Sequence, residues 1–268
     1  MTFATAADNQ VMIGYWDIIL IAAVSVMGTA LAYVRAPRWK ALFISLPIPF
    51  TISTLALGQP IAASNASGLI VLFFYTQAVR LLYTRVKLPI VLAIVLSALG
   101  YIGVGAALAP VIPKNDWAFY ITIVLAFTMG LLCYRLLPHR VEPSQRSLLP
   151  IWVKLPIIMG VVLGLVMIKK YLGGFITMFP MVGVVAAYEA RRSLWTLGRQ
   201  IPVLMLTTTP MMVASRLSQP IVGLEWSLVL GWAVFLAVFL PFTILSWRKQ
   251  DRLALAQVPE GVQPTPAA

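Results

Sequence analysis

Side chains that carry chemistry are scarce in this sequence: it has one cysteine, one histidine and only eight aspartates and glutamates among 268 residues. A lone cysteine, Cys133, excludes an intrachain disulfide and any cysteine-built metal site. It lies inside an apolar run, where a free thiol acts as a small packing residue. There is no HExxH, no Asp-rich pair for magnesium and diphosphate chemistry, no glycine-rich phosphate loop and no Ser/His/Asp set. No two carboxylates share an apolar segment at i, i+3 or i+4, and His139 falls between such segments, so an acid/base centre has no members to assemble. Neither an enzyme nor a metal or other cofactor is expected.

Charge is also scarce. Only 10% of residues are charged, 60% are hydrophobic and the mean hydropathy is +0.92, a composition whose solvent is lipid. In a soluble protein a net charge of +12 would suggest a nucleic-acid partner. Here the Lys and Arg residues fall in short gaps between apolar runs, as topology determinants do, and no nucleic-acid site is expected. Met1 to Gln10 contains no Lys or Arg, so a cleaved signal peptide is not expected.

Crossing the hydrocarbon core takes roughly 20 apolar residues, fewer where proline or small residues pack against neighbours. On that ruler the chain reads as an all-α polytopic membrane protein with about nine spans. They fall near 12–34, 41–58, 62–83, 88–110, 117–137, 151–168, 172–190, 201–218 and 222–246. Sixteen of the 20 basic residues then fall on one side, leaving Lys114, Lys169, Lys170 and Arg216 on the other. The positive-inside rule puts the richer side in the cytoplasm, with the N-terminus outside and the C-terminus inside a bacterial-type inner (plasma) membrane. The tail 254–268, rich in Pro and Ala, has nothing to bury and reads as disordered.

The segment ends repeat. Arg80, Leu82, Tyr83, Thr84, Lys87 and Pro89 answer in order to Arg192, Leu194, Trp195, Thr196, Arg199 and Pro202. Upstream, Met27-Gly28 and Tyr33 answer to Met129-Gly130 and Tyr134. The expectation is a duplication of four-helix units, 12–110 and 117–220, with 222–246 added outside it. Four helices per unit give both units one orientation and a pseudo-two-fold along the membrane normal.

The stretch Gly173-Gly174-Phe175-Ile176-Thr177-Met178-Phe179-Pro180, followed by an apolar run, Tyr188 and Arg191-Arg192, resembles the core motif of the small GlpM-like membrane proteins. It covers about a fifth of the chain, counting Lys154 and the helix after it. The resemblance implies no catalytic residues. The first unit departs from the motif, with Ser67-Gly68 and Phe73-Phe74 and no proline.

Polar groups inside spans are costly and are functional candidates for that reason. Ser45, Pro49 and Ser53 share a face of the second segment, with Pro47 beside them, and Thr207-Thr208-Thr209-Pro210 offers a second expected break. Asn65 adds an amide in the third segment. A central solute site is therefore assigned to Ser45, Ser53, Asn65, Thr207 and Thr208, and a proton- or cation-coupling role to Asp17. The expected function is a small secondary transporter or permease. Its solute would be neutral or amphipathic, or would have its charge met by helix dipoles. The alternative is a membrane subunit that assembles with another complex or with itself, through small residues such as Ser97, Gly100, Gly103 and Ala107.

Overall fold

The computed structural model describes residues 14–33, 42–137 and 151–256, and among them all regular structure is helical. Helix α1 is Tyr15–Tyr33; a single turn at 42–45 precedes α2, Ile48–Leu57; α3 is Ala63–Thr84, α4 Ile90–Leu108 and α5 Asp116–Leu136. Helix α6, Ile151–Leu172, runs into a 3-10 helix, Gly173–Met178, and then α7, Met181–Glu189. The remaining helix, Leu194–Ala256, breaks at Gly223 into α8 (194–222) and α9 (224–256). Gly223 has φ 80° and ψ 174°, a conformation open to glycine and strained for other residues.

Among the described residues five helices are long and apolar enough to cross a membrane: Ala63–Thr84, Ile90–Leu108, Asp116–Leu136, Met159–Met178 and Leu194–Leu245. Tyr15–Ala30 and Leu42–Leu57 are shorter apolar helices. Apolar side chains point outward from them, among them Val95 and Leu99 on α4, Val124 and Leu125 on α5 and Leu240 on α9. Water would penalise such surfaces and lipid does not, which makes this a multi-pass membrane protein by length and composition. The loop charges Arg35, Arg38, Lys40, Arg140 and Arg146, and the tail from 257, lie outside the described residues.

Helix α3 is the hub: it packs against α4, α5, the 3-10 helix and the helix Leu194–Ala256. Helix α1 packs on α2, α6 and α7. Fully buried Leu69, Phe119, Phe175 and Phe235 fill the interior, and Phe235 stacks on Phe239 at 5.0 Å. The two ends of α3 differ in their charge contacts. Near Thr84, the Arg80 guanidinium lies 4.5 Å over the Trp195 ring, and Arg199 sits 5.8 Å from the Tyr134 ring. Near Ala63, Arg216 donates to the Ile61 carbonyl (2.7 Å) and to Asp116 (2.8 Å).

One expected break is corrected. The helix continues through Pro210, and also through Pro202 and Pro220, before breaking at Gly223. A mid-helix proline removes one backbone bond. The helix stays closed around Pro210, and the hydroxyls of Thr207 and Thr209 beside it bond the carbonyls of Val203 and Met205 one turn back.

Candidate functional site

Two short segments, 42–57 and 173–189, are interrupted in the same way, each by proline at the start of a helix. At Pro47 the backbone has φ −80° and ψ 34°, at Pro180 φ −73° and ψ 55°. The residue before a proline is pushed out of the α region, and Phe179 accordingly adopts φ −58° and ψ 135°. Upstream, Gly173 at φ 51° turns the chain out of α6 into the tighter 3-10 helix. The first amides bonded one turn back are Thr51 to the Pro47 carbonyl (3.0 Å) and Val184 to the Pro180 carbonyl (2.8 Å). The amides of Ile48 and Phe50, and of Val182 and Gly183, precede any intrahelical acceptor, and neither helix start has a side-chain cap.

The two helices diverge from their starts. Helix α2 runs to the end where Lys169 reaches the Ala56 carbonyl, and α7 runs to the end where Arg191 lies over Tyr188. At 1.5 Å per residue each is roughly 14–15 Å long, half of a bilayer core of about 30 Å. The positive ends of two half-length helices thus start from the middle depth of the bundle.

Between them lies a cavity of about 80 Å³. Pro47 and Phe50 line it from the start of α2, Pro180 and Gly183 from the start of α7, and Thr208 from α8. Leu72, Met178 and Leu204 contribute apolar wall, and among the described residues none that is charged lines it. The volume holds a few waters or one small solute and is well below the 300–1,000 Å³ of a drug-sized pocket. Thr208 Oγ1 is fully buried and has no hydrogen-bond partner. The other two hydroxyls on the wall are engaged, Thr76 donating to the Phe73 carbonyl and Thr177 to the Gly174 carbonyl, both at 2.7 Å.

Irregular backbone at this depth must have its carbonyls met from within the protein. Asn65, Tyr101 and Thr177 do this, donating to the carbonyls of Gly174 (3.5 Å), Phe175 (2.8 Å) and Gly174 (2.7 Å) respectively. Asn65 accepts the Ala62 amide (2.8 Å) and donates to Thr177 Oγ1 (3.1 Å). The Tyr101 hydroxyl, fully inside the bundle, donates to the Phe175 carbonyl (2.8 Å) and its ring meets Phe179 edge to face at 5.2 Å. Gly174 allows a close approach: a Cβ there would fall on Ser64 Oγ and within 2.8 Å of the Asn65 amide nitrogen.

Of the five residues assigned to the solute site, Thr208 lines the cavity. Asn65 is one hydrogen bond behind its wall, through Thr177. Ser45 is buried away from it and accepts from Gln200 Nε2. Ser53 is buried with no partner, and Thr207 turns back onto the carbonyls of Val203 and Leu204. Asp17 is also elsewhere, buried in an ion pair with Lys169 at 2.6 Å. The sequence reading missed Tyr101, Thr177 and the Phe179-Pro180 break. Only the proline after an apolar aromatic run gave a signal, and it was read as part of a continuous helix. No protein-family model, curated protein or solved structure matches the chain.

Proposed function

We propose that the chain is a small secondary transporter or permease that passes a small neutral or amphipathic solute through the cavity between the starts of α2 and α7. One observation carries the reading: two apolar segments break at middle depth, and both breaks line one cavity that also holds an unpartnered hydroxyl. Broken helices are tolerated inside a bilayer where they are buried in protein or line a wet space, and transporters build their sites from them.

The full proposal has nine spans in a bacterial-type inner membrane, with the N-terminus outside and the C-terminus cytoplasmic. Duplicated units at 12–110 and 117–220 are followed by the added span 222–246. The motif copies meet in space, Arg80 of the first lying over Trp195 of the second. The two breaks lie in the second and seventh segments, which the duplication does not pair, so each unit contributes one half-helix of its own kind. Coupling is assigned to Asp17, which Lys169 holds across α1 and α6. The reading includes no catalytic step. The GlpM-like stretch coincides with the 3-10 helix and the second break, where its glycines and proline serve the backbone.

A second reading has its own support. Gly100, Gly103 and Ala107 form an exposed strip on α4, with nothing within 4 Å of a Cβ at either glycine, while Ser97, expected to share it, is buried. Such a strip suits the close approach of a partner helix or of a second copy of the chain. Single cysteines in a Cys133→Ser chain separate the readings. With a small membrane-impermeant thiol reagent, Thr208→Cys is expected to react from either face, Lys114→Cys from outside only and Arg85→Cys from inside only. A folded Thr208→Cys chain that stays inert overturns transport in favour of the subunit, and exchanged faces for positions 114 and 85 overturn the orientation.

A further inference from the structure

We infer that the cavity binds a small monoanion with a short apolar remainder, a short-chain monocarboxylate, held by the amide ends of α2 and α7 together with Thr208 Oγ1. The inference rests on the transporter reading and specifies its amphipathic solute.

The charge follows from what surrounds the cavity. Among the described residues no acidic or basic side chain lines it, so the field they set there comes from backbone dipoles. Each helix start carries about half a positive charge, and two of them match one negative charge. A cation would meet the wrong sign, and a dianion would keep about one charge uncompensated in a low-dielectric interior. The donors are present as well. Residues that usually cap helices, Ser, Thr, Asn or Asp, are replaced by proline at both N-cap positions, 47 and 180. Neither helix therefore satisfies its own first amides, and of these Phe50, Val182 and Gly183 lie on the cavity wall and remain for a ligand. Thr208 adds a hydroxyl that is completely buried, lines the same cavity and bonds nothing in the protein.

The remainder of the ligand follows from the rest of the wall. Leu72, Met178 and Leu204 offer no hydrogen bond and suit an alkyl group. A volume near 80 Å³ suits a carboxylate with one or two carbons attached.

The test is isothermal titration of the purified full-length chain with sodium acetate and sodium propionate. Ionic strength is held with sodium gluconate, whose polyhydroxylated anion has no apolar remainder for the wall, and chloride, glycerol and urea serve as comparison ligands. Saturable carboxylate binding is expected. Thr208→Val should weaken it by roughly 10- to 100-fold, the effect of losing one hydrogen bond to a charged group. The same variant should raise the unfolding temperature of the solute-free protein, because it removes a buried hydroxyl with no partner. Chloride binding of equal affinity overturns the carboxylate class. Saturable binding of glycerol or urea in place of the carboxylates overturns the anion and leaves transport standing. Absence of all binding while Thr208→Cys still labels from both faces overturns the ligand, whereas an inert Thr208→Cys overturns the transporter reading beneath it.

Discussion

Asp17→Asn is expected to destabilise the fold by about 3–5 kcal/mol, the range for breaking a buried ion pair on one side. Lys169 Nζ donates to both Asp17 oxygens, at 2.8 and 2.6 Å, and its further contact to the Ala56 carbonyl is long at 3.4 Å. The Asp17 side chain is 1% exposed, and that of Lys169 15%. Neutralising the carboxylate leaves an ammonium group among apolar helices with one weak acceptor. Its slight exposure gives the lysine a partial escape by snorkelling, which favours the lower end of the range. The loss should appear as a lower unfolding temperature and a smaller monodisperse fraction after heating in detergent. The exchange Asp17→Lys with Lys169→Asp should recover most of it. A single variant within about 0.5 kcal/mol of the parent, the scale of an ordinary surface change, would show that the pair does not hold α1 against α6.

Gly174→Ala is the second large effect, a loss of about 2–3 kcal/mol from forcing a methyl group into closed packing. The added Cβ meets Ser64 Oγ and the backbone of Asn65, which is the start of a helix and has little freedom to retreat. Moving the 3-10 helix away also lengthens the Asn65 to Thr177 and Tyr101 to Phe175 bonds that satisfy the broken segment. Thermal unfolding of the variant, compared with Gly103→Ala at an open position on α4, measures the effect. Equal stability of the two would mean that the 3-10 helix is not clamped to α3.

These two sites show how far the sequence could be read. The break at Pro47 was legible because proline interrupts an apolar run near its middle, and the backbone has no other recourse there. The same logic failed at Pro210, where the helix continues to Gly223 with the one backbone bond that a proline removes missing. It failed in the opposite sense at Pro180, where two glycines and an aromatic run concealed a 3-10 helix. Thr208 was found as a hydroxyl beside a proline, but Ser53 and Thr207 were chosen by the same rule and point elsewhere. Which hydroxyl faces a cavity depends on helix rotation, and that is set by packing. Asp17 stood out as a costly charge, yet its partner is 152 residues away, a distance only the tertiary fold closes. Tyr101 looks in sequence like any interfacial aromatic, and its role as donor to a freed carbonyl exists only once α4 is packed on α3.

The central claim is that the cavity between the two half-helices is wet and presents free amides to a solute. Hydrogen–deuterium exchange of the full-length chain, read by mass spectrometry, tests it most directly. Peptides covering 44–52 and 179–185 should exchange the amides of Phe50, Val182 and Gly183 within minutes, while those covering 67–77 in α3 stay protected for hours; propionate should slow the first two and leave the third unchanged. Protection of both breaks as complete as that of α3, with or without the carboxylate, would mean a dry and closed junction and would contradict the account.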